Sequence, residues 1–337
     1  MDIANSLPSV SIVIPTLNSG KVLEGCLESI RALDYPKEKI EIIIADGGSR
    51  DGTIEIGKKY TDRIVANPLQ TGEAGKSVGL RAARNEIVAF VDSDNLLDGR
   101  DWLRRMVEPF ADKEIVGSEP LYYTHRRQDS IITRYSALLG MNDPLCLYLG
   151  NYDRYCCLTQ KWTELPVRTA DRGGFLVFEL DEKDIPTIGA NGFLVRKEAI
   201  IATTHEPYLF DIDAVYELIK NGSNKFAKVK IGIIHLFAGD TRTFYRKQRR
   251  RIRDYLYYNK KAMRTYPWNT LNKTGILKFA ASTLLVFPLL LTAVRGYAKN
   301  QDSAWFYHVI ACWLTLWVYG TETAKDLAGI ESDITRK

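Results

Sequence analysis

Three short polar segments in the first hundred residues follow apolar runs, and their residue types could bind a metal ion and a phosphate group. In the last of them, Asp92, Ser93 and Asp94 follow the apolar residues 87–91, a run typical of a buried parallel strand. Open α/β sheets bind ligands at such strand ends, and Mg²⁺ or Mn²⁺ takes carboxylate and phosphate oxygens. The triplet therefore favours a metal–diphosphate site, although the same residues are also common in turns and helix caps.

The other two segments are residues 15–18 and 45–53, and each also follows an apolar run. Asp46 could accept a hydrogen bond from a base N–H or a ribose hydroxyl, and the glycines after it let backbone approach a ligand closely. An Asp-Gly-Gly-Ser sequence is also ordinary turn chemistry. If the strands are parallel, all three segments meet at one edge of the sheet.

The elements that would position these segments alternate between strand and helix patterns. Such alternation with short loops predicts an α/β domain over residues 1–240, with a mostly parallel, Rossmann-like sheet and helices on both faces. The expected strands include Val10–Ile14, Ile40–Ala45, Arg63–Ala66 and residues 87–91, and the expected helices include Gly20–Leu33, Thr53–Tyr60, Gly75–Arg84 and Asp211–Lys220.

Charge is unevenly distributed along the chain. The 337 residues carry a net charge of +5, yet residues 241–264 alone hold ten Lys or Arg and one acid. Apolar residues interleave with these cations at helical spacing, so we expect basic amphipathic helices over residues 241–272 that lie on anionic lipid. The five cysteines form no CxxC or Cys/His cluster, which disfavours a zinc site or a disulfide framework.

The last third of the chain is apolar enough to suggest a membrane anchor. Spans at about residues 276–295 and 303–321 would form a transmembrane hairpin within residues 273–337, followed by a cytoplasmic tail. The alternative is two buried helices of a soluble domain. With the positive-inside rule, the hairpin predicts a multi-pass protein of the cell membrane with a cytoplasmic catalytic domain. The N-terminus shows no secretory signal.

Four sequence motifs, in this order along the chain, resemble those of a known protein family. The segments SIVIPTLN, IIIADGGSRDGT, TGEAGKSVGL and IVAFVDSDN resemble the nucleotide-sugar domain of family 2 glycosyltransferases with the GT-A fold, over roughly residues 8–240. The resemblance implies a metal-dependent hexosyltransferase that uses Mn²⁺ or Mg²⁺. It also implies that the donor is bound by Pro15, Thr16, Asn18, Asp46, Lys76, Asp92, Ser93 and Asp94.

The same resemblance extends to the catalytic and acceptor residues. IGANGFLVRKEAI is similar to the family segment that forms the floor of the acceptor site, which places Gly189, Ala190 and Asn191 near the reacting hydroxyl. LFDIDAVYELIKNG is similar to the family stretch that contains the catalytic base, and its spacing assigns that role to Asp211. Asp211 also begins a predicted helix, so a helix cap is the alternative.

Two further assignments complete the predicted site. Asp94 would be the main metal ligand, with Asp92 and His235 as further ligands. One base without a second positioned carboxylate implies a single displacement with inversion at the anomeric carbon. Gln248 and Arg251 resemble part of the Gln-x-x-Arg-Trp motif of cellulose-synthase-like membrane enzymes, with Ile252 in place of Trp; they would contact the acceptor, or only lipid headgroups.

The leading hypothesis is a membrane-associated inverting glycosyltransferase that moves one sugar to a hydroxyl of a lipid-linked acceptor. A similarity to archaeal membrane mannosyltransferases implies GDP-mannose as donor and a lipid-linked oligosaccharide of N-glycosylation as acceptor. A second hypothesis is a synthase similar to dolichol-phosphate-mannose synthase, in which the lipid phosphate is the nucleophile. The remaining alternatives are a nucleotide-binding pseudoenzyme and a basic lipid- or nucleic-acid-binding module; we expect no nucleic-acid partner.

Overall fold

The computed structural model describes residues 7–203, 207–267 and 272–330, so the first six residues, the last seven and parts of the predicted interface segment lie outside the description. The chain divides into two compact units. The sheet unit comprises Met1–Tyr122 and Pro166–His235, and the helical unit comprises Tyr123–Leu165 and Leu236–Lys337.

The first half of the sheet is parallel, as its alternating sequence pattern predicts. Strand β1 (Val10–Thr16) pairs in parallel with β2 (Ile40–Asp46) and with β4 (Ile87–Phe90), and β2 pairs in parallel with β3 (Ile64–Ala66). The register places Thr16 directly beside Asp46. Since these strands run the same way, their polar carboxyl-terminal loops lie at one edge, which the site requires.

The second half of the sheet corrects the prediction of a mostly parallel arrangement. The strand order among the described residues is β3-β2-β1-β4-β9-β6-β10-β8-β7, with β5 also paired to β10. The pairs β4–β9, β6–β9, β8–β10, β7–β8 and β5–β10 are all antiparallel. These strands are β5 (Asn95–Leu97), β6 (Gly117–Thr124), β7 (Thr169–Asp171), β8 (Phe175–Glu179), β9 (Phe193–Arg196) and β10 (Lys225–His235).

The length of its connection explains one of the antiparallel pairs, β7–β8. Strands β7 and β8 are separated by only residues 172–174, with Gly173 at φ +78°. A connection this short can join only antiparallel neighbours, because a parallel pair needs a crossover of a dozen or more residues. The sheet is therefore mixed, with a parallel half that carries the predicted donor loops.

The helices of the sheet unit follow the predicted spacing, with shorter bounds at several ends. Helix α3 packs closely on β1, because a Cβ added at Gly75 would lie 2.9 Å from Pro15 Cβ. The close approach brings the next residue, Lys76, to the edge of the sheet. The helices are α1 (Leu23–Arg31), α2 (Thr53–Gly57), α3 (Gly72–Ala82), α4 (Trp102–Val107), α7 (Lys197–Ile201) and α8 (Asp211–Lys220).

The helical unit contains six helices among its described residues and has its own apolar core. These are α5 (Ile131–Leu139), α6 (Leu145–Leu149), α9 (Thr241–Lys260), α10 (Lys273–Leu285), α11 (Phe287–Lys299) and α12 (Tyr307–Leu327). Tyr135, Phe244 and Trp305 are among the buried side chains of this core. Within the segment predicted to form basic interface helices, residues 241–272, α9 covers Thr241–Lys260 and buries Phe244, Gln248, Ile252 and Tyr258 within the unit. Its contact with lipid stays a prediction.

The first predicted membrane span is wrong as a single helix. Residues 276–295 fall on two helices, α10 and α11, which meet at Val286 with φ +61°. Pro288 explains the break, since in a continuous helix it would lack the N–H for Leu284 and would clash with that carbonyl. Among the described residues no single helix has both the length and the hydropathy of a span, whereas α10 and α11 reach them together as a pair bent by 94°.

The second predicted span, residues 303–321, begins with a short 3-10 helix (Ser303–Phe306) and continues as most of α12. One face of α12, which includes Ala311, Cys312, Thr315 and Val318, is buried within the helical unit. This face supports packing against neighbouring helices.

Candidate active site

Asp46 is fixed at the end of β2 by a ring of hydrogen bonds. Thr16 Oγ1 donates to its Oδ1 at 2.9 Å, and the backbone N–H groups of Gly48 and Ser49 donate to its Oδ2 at 2.8 and 2.9 Å. Burial alone would raise the pKa of Asp46, but these hydrogen bonds outweigh it and lower the pKa below its usual range. Asp46 is thus an ionised acceptor at neutral pH, held in one orientation beside β1.

Asn18 braces the loop that carries Asp46. Its backbone N–H donates to Ser49 Oγ at 2.8 Å, and its side-chain oxygen accepts from the N–H of Arg50 at 2.9 Å. Asn18 has a left-handed φ of +52°, which Asn tolerates better than most residues. These bonds join the loop after β1 to the loop after β2, and Pro15 lies half-buried at the base of the first loop.

The Asp92–Asp94 triplet forms a tight turn between β4 and β5. The Asp92 N–H donates to Asn95 Oδ1 at 3.1 Å, the Asn95 N–H donates to the Asp92 carbonyl at 2.9 Å, and Ser93 Oγ donates to Ser19 Oγ at 3.0 Å. All three residues of the triplet are half-buried. The turn interpretation is therefore correct for the backbone, and it leaves the roles of the two carboxylates to be decided by their surroundings.

Asp94 and His235 lie together, as the metal prediction requires. His235 Nε2 is 3.4 Å from Asp94 Oδ1, and their side chains are 10% and 20% exposed. Two adjacent ligands of an octahedral ion, each about 2.1 Å from it, are about 3 Å apart, so this pair fits a shared cation. Among residues 7–203, 207–267 and 272–330, no group of three or more His, Cys, Asp or Glu stands ready to hold a metal.

Asp211 forms an ion pair with Lys76, a contact between residues 135 positions apart. Lys76 Nζ is 2.5 Å from Asp211 Oδ1, with the two side chains 6% and 30% exposed. Burial raises the pKa of Asp211 to about 6, even though the Lys76 charge opposes this. Burial alone would lower the pKa of Lys76, but the carboxylates of Asp211 and Asp92 outweigh it and raise the pKa.

The helix-cap interpretation of Asp211 does not hold. Phe210 is the N-cap residue of α8, and no side chain caps it. The Asp211 carboxylate instead points to Lys76. A carboxyl group that titrates near neutrality suits a general base, because such a group can both take and release a proton at the working pH.

The segment predicted to form the acceptor floor lies directly against Asp211. Gly189 has φ +112°, and a Cβ added there would lie 2.9 Å from the Asp211 carbonyl oxygen. Only glycine permits this approach. Asn191 Oδ1 accepts a hydrogen bond from Asn95 Nδ2 at 3.0 Å. Ala190, which lies between Gly189 and Asn191, is half-buried. The structure thus brings residues 189–191 together with the Asp92 turn and the predicted base.

Comparisons with known proteins bear on the family and the fold of the chain. A family model described as "Glycosyl transferase family 2" matches residues 11–162. Residues 11–162 are therefore similar to this family, in agreement with the resemblance of the four sequence motifs.

Two curated relatives match parts of the chain. Glycosyltransferase AglE of Haloferax volcanii is 28% identical over 145 residues, which is 41% of this chain and 47% of AglE. The poly(ribitol-phosphate) beta-N-acetylglucosaminyltransferase TarS of Staphylococcus aureus is 34% identical over 94 residues, 26% of this chain and 16% of TarS. The chain therefore spans less than half the length of these relatives.

One solved structure is similar over almost the whole chain. The mannosyltransferase PcManGT of Pyrobaculum calidifontis, in complex with GDP-Man and Mn²⁺, aligns with a TM-score of 0.54 and 17% identity. The alignment covers 97% of this chain and 89% of that one. At this identity the similarity shows the fold alone: an α/β GT-A fold as predicted, but with a mixed sheet in place of the mostly parallel one.

Three positioning residues of the glycosyltransferase domain escaped the sequence prediction. Glu119 and Lys228 form an ion pair whose side chains are both fully buried, and Glu119 Oε1 also accepts from the Gly189 N–H at 3.0 Å. Asn95, itself fully buried, links the Asp92 turn to Asn191. One signal was available, because Lys228 interrupts an otherwise apolar part of β10; nothing in the sequence marked its partner.

Gln248 and Arg251 belong to the helical unit, unlike the other predicted site residues. As their spacing predicts, they share a face of α9, with Arg251 Nη1 donating to Gln248 Oε1 at 2.5 Å. Gln248 is fully buried and donates to the Asn142 carbonyl at 2.9 Å, while Tyr319 donates to Asp143 at 2.5 Å. In this structure the two residues form part of a polar network inside the helical unit.

Proposed function

We propose that the chain is an inverting glycosyltransferase that transfers one sugar from a nucleoside-diphosphate sugar to a hydroxyl group. The observation that carries the proposal is the position of Asp211. This partly exposed carboxylate, with a pKa of about 6, lies against Gly189 and Lys76 in a unit whose strand ends carry Asp46 and Asp94.

The donor would be bound by the loops after the parallel strands. Asp46 is an ionised and oriented acceptor, suited to a base N–H or a ribose hydroxyl. Pro15, Thr16 and Asn18 would line the same side of the donor site, with Asp92 and Ser93 on the loop after β4. Lys76, whose charge is retained at neutral pH, would contact the diphosphate.

A divalent cation, Mn²⁺ or Mg²⁺, would be held by Asp94, with His235 and Asp92 as further ligands. Such an ion needs only one or two carboxylates when substrate phosphates supply the remaining oxygens. When bound, it would neutralise the charge that develops on the leaving diphosphate. The presence of Mn²⁺ with GDP-Man in the PcManGT structure supports this part of the proposal.

Asp211 would remove the proton from the acceptor hydroxyl as that oxygen attacks the anomeric carbon. Gly189, Ala190 and Asn191 would orient the acceptor beside it. A single base and a single displacement give inversion. Lys76 would hold Asp211 in its ionised form until an acceptor hydroxyl arrives.

The finer assignments belong to the same proposal. We propose mannose from GDP-mannose as the sugar and a lipid-linked oligosaccharide as the acceptor, at a membrane whose cytoplasmic side holds the catalytic domain. The similarity in fold to a mannosyltransferase in complex with GDP-Man supports the choice of donor. Gln248 and Arg251 would contact the acceptor only if the acceptor replaces the hydrogen bonds that these two residues make within the helical unit.

Thermal-shift measurements test the donor and metal sites together. We expect GDP with Mn²⁺ to raise the melting temperature more than GDP with EDTA, since a ligand of the folded state stabilises it. Asp94→Ala should abolish the metal-dependent part of the shift, whereas Asp98→Ala, which changes an exposed carboxylate nearby, should retain it. An Asp94→Ala protein with an undiminished metal-dependent shift contradicts the metal assignment.

Turnover then tests the reaction itself. Purified chain with GDP-mannose, Mn²⁺ and a polyprenyl-linked acceptor should release GDP and give a product with inverted anomeric configuration, read by NMR. UDP-glucose and UDP-N-acetylglucosamine serve as competing donors. Product formation from one of these alone would keep the reaction class and replace the donor.

A further inference from the structure

Exposed apolar side chains of the helical unit are concentrated where α10 meets α11. Leu284, Leu285 and Phe287 are 65%, 70% and 70% exposed, on both sides of the bend at Val286. We name these three residues the apolar corner. Leu290 and Val294 extend the exposed surface along α11, with exposures of 47% and 52%.

The apolar surface continues onto α12. Tyr297 and Phe306 are in ring contact, with centroids 5.6 Å apart. From Phe306 the exposed residues Ile310, Trp313 and Trp317 follow at spacings of four, three and four positions, which places them on one stripe of a helix. Aromatic side chains of this kind favour the interface between lipid and water.

This exposed surface rests on a well-packed inner face. Phe279 and Leu289 are buried, and a Cβ added at Gly275 or Gly296 would clash with the backbone of Tyr148 or the ring of Trp305. Both helices are therefore held in place from one side. The apolar corner is a built feature of the folded unit.

The charge pattern identifies the partner. No Asp, Glu, Lys or Arg occurs from residue 279 to residue 294, and the flanking residues on the two sides are Lys278 and Arg295, both exposed. A protein partner of an apolar surface needs no cationic margin of this kind. An uncharged stretch bordered by cations instead matches a bilayer, whose hydrocarbon lies beneath anionic headgroups.

We infer that the apolar corner inserts into one leaflet of an anionic membrane, with Lys278 and Arg295 at the headgroups and the α12 stripe lying along the interface. The stretches from Lys278 and from Arg295 to the bend at Val286 are eight and nine residues long, which is about 12–13 Å of helix. Tilted equally about a near right angle, they would place the bend about 9 Å below the headgroup cations, within one leaflet of a core about 30 Å thick. The corner would thus replace the two spans expected from the sequence.

Flotation of the full chain with lipid vesicles tests the inference. We expect flotation with vesicles of phosphatidylcholine and phosphatidylglycerol, and about tenfold less of it after Leu285→Glu combined with Phe287→Glu. Leu69→Glu, which changes an exposed leucine of the sheet unit, is the matched control and should float like the unchanged chain. Leu284→Ser with Leu285→Ser is a milder second pair that should also reduce flotation.

Depth is measured with a tryptophan placed at the corner. The fluorescence that Phe287→Trp adds to that of the six natural tryptophans, taken as the difference from the unchanged chain, should be quenched by lipids brominated along the acyl chain and protected from iodide in the vesicle suspension. Quenching by iodide with no effect of brominated chains contradicts insertion. Equal flotation of the Leu285→Glu/Phe287→Glu variant and the unchanged chain would also overturn the inference.

A second copy of this chain is the competing occupant of the surface. If the unchanged chain is dimeric without lipid, and the Leu285→Glu/Phe287→Glu variant is monomeric, the corner is a dimer contact and the membrane inference is wrong. The inference rests on the membrane part of the proposed function, but its failure is distinguishable. The GDP–Mn²⁺ thermal shift of each corner variant reports the donor site independently and should be unchanged.

Discussion

The sheet unit and the helical unit each contain a cluster of polar side chains, and the two clusters differ in the type of side chain that they expose to solvent. In the helical unit, Gln248, Asp143 and Tyr319 bond to one another and to the Asn142 backbone. In the sheet unit, the Lys76–Asp211 pair joins a buried cation to a carboxylate that is 30% exposed. The exposed member of the first cluster is a cation, Arg251, at 39% exposure, whereas the exposed member of the second is a carboxylate.

The difference shows that residue type alone does not distinguish a site from a scaffold. Carboxylates and amides that hydrogen-bond to one another in the protein interior mainly stabilise a fold. A partly exposed carboxylate with a raised pKa at the edge of a sheet can act in acid–base chemistry. The following predictions, in order of expected effect, test whether the two clusters really divide in this way.

Asp211→Asn should give the largest effect, a fall in kcat on the order of 10²–10⁴ with GDP–Mn²⁺ affinity retained, because only the proton transfer is removed. The measurements are turnover and calorimetric donor binding. Asp213→Asn, on the buried side of the same helix, is the control and should affect melting temperature more than turnover. A variant at 211 that keeps most of its activity favours the lipid phosphate as nucleophile, since a phosphate needs no base.

Lys228→Met should destabilise the sheet unit by about 3–5 kcal/mol, because it leaves the fully buried Glu119 without its cation. Urea unfolding followed by tryptophan fluorescence measures this. Lys225→Met on the same strand is the control, since its ion pairs with Asp112 and Glu114 are at the surface, where solvent screens them. If both variants lower the free energy of unfolding by a similar amount, burial does not make the Glu119–Lys228 pair more important for stability than the surface pairs.

Gln248→Ala should destabilise the helical unit by about 1–3 kcal/mol, because it leaves buried partners unsatisfied. If Gln248 serves only this network, KM for the acceptor should not change. A higher acceptor KM at normal stability would instead support the acceptor contact, and would weaken the contrast between the two clusters.

Turnover should rise with pH to a plateau, with a midpoint near 6, the pKa of Asp211. The sign follows from the role of the group, since a general base works only when deprotonated. The charges that act on it are Lys76, Asp92 and Glu73. Lys76→Met removes the charge that favours the carboxylate, so the midpoint should move to higher pH in a pH–kcat profile; a downward shift contradicts the pairing.

Tyr319→Phe should have the smallest effect, a loss of about 0.5–1.5 kcal/mol from the helical unit. It removes the hydroxyl that donates to Asp143 and leaves the ring in place. Thermal unfolding measures the change, and turnover should be unaffected. A large loss of turnover would place this network in the reaction after all.

Local sequence determined the parts of the fold that depend on interactions between residues close together in the chain. The parallel strands β1, β2 and β4, the loops after them and the start of α8 at Asp211 all follow from apolar runs ended by polar or turn-forming residues. The antiparallel half was missed because strands such as β7 and β8 are short and only half-covered. The pairs β4–β9 and β8–β10 join segments far apart in the chain, so local sequence does not determine them.

The membrane prediction shows the same limit. Hydropathy alone suggested one long helix over residues 276–295, whereas Val286 and Pro288 divide it. The proline was visible in the sequence, but the 94° bend depends on how both halves pack against Trp305 and Tyr148.

The sequence by itself determined the residue types of the site and the strand ends that carry Asp46 and Asp94, because a carboxylate after a buried strand is a local feature. Only the tertiary structure decided that Lys76 meets Asp211 across 135 positions and that Gly189 lies against the same residue. It also enclosed Gln248 in a network and exposed the apolar corner. Such contacts join distant segments, and their energies depend on burial, which appears only when the chain has folded.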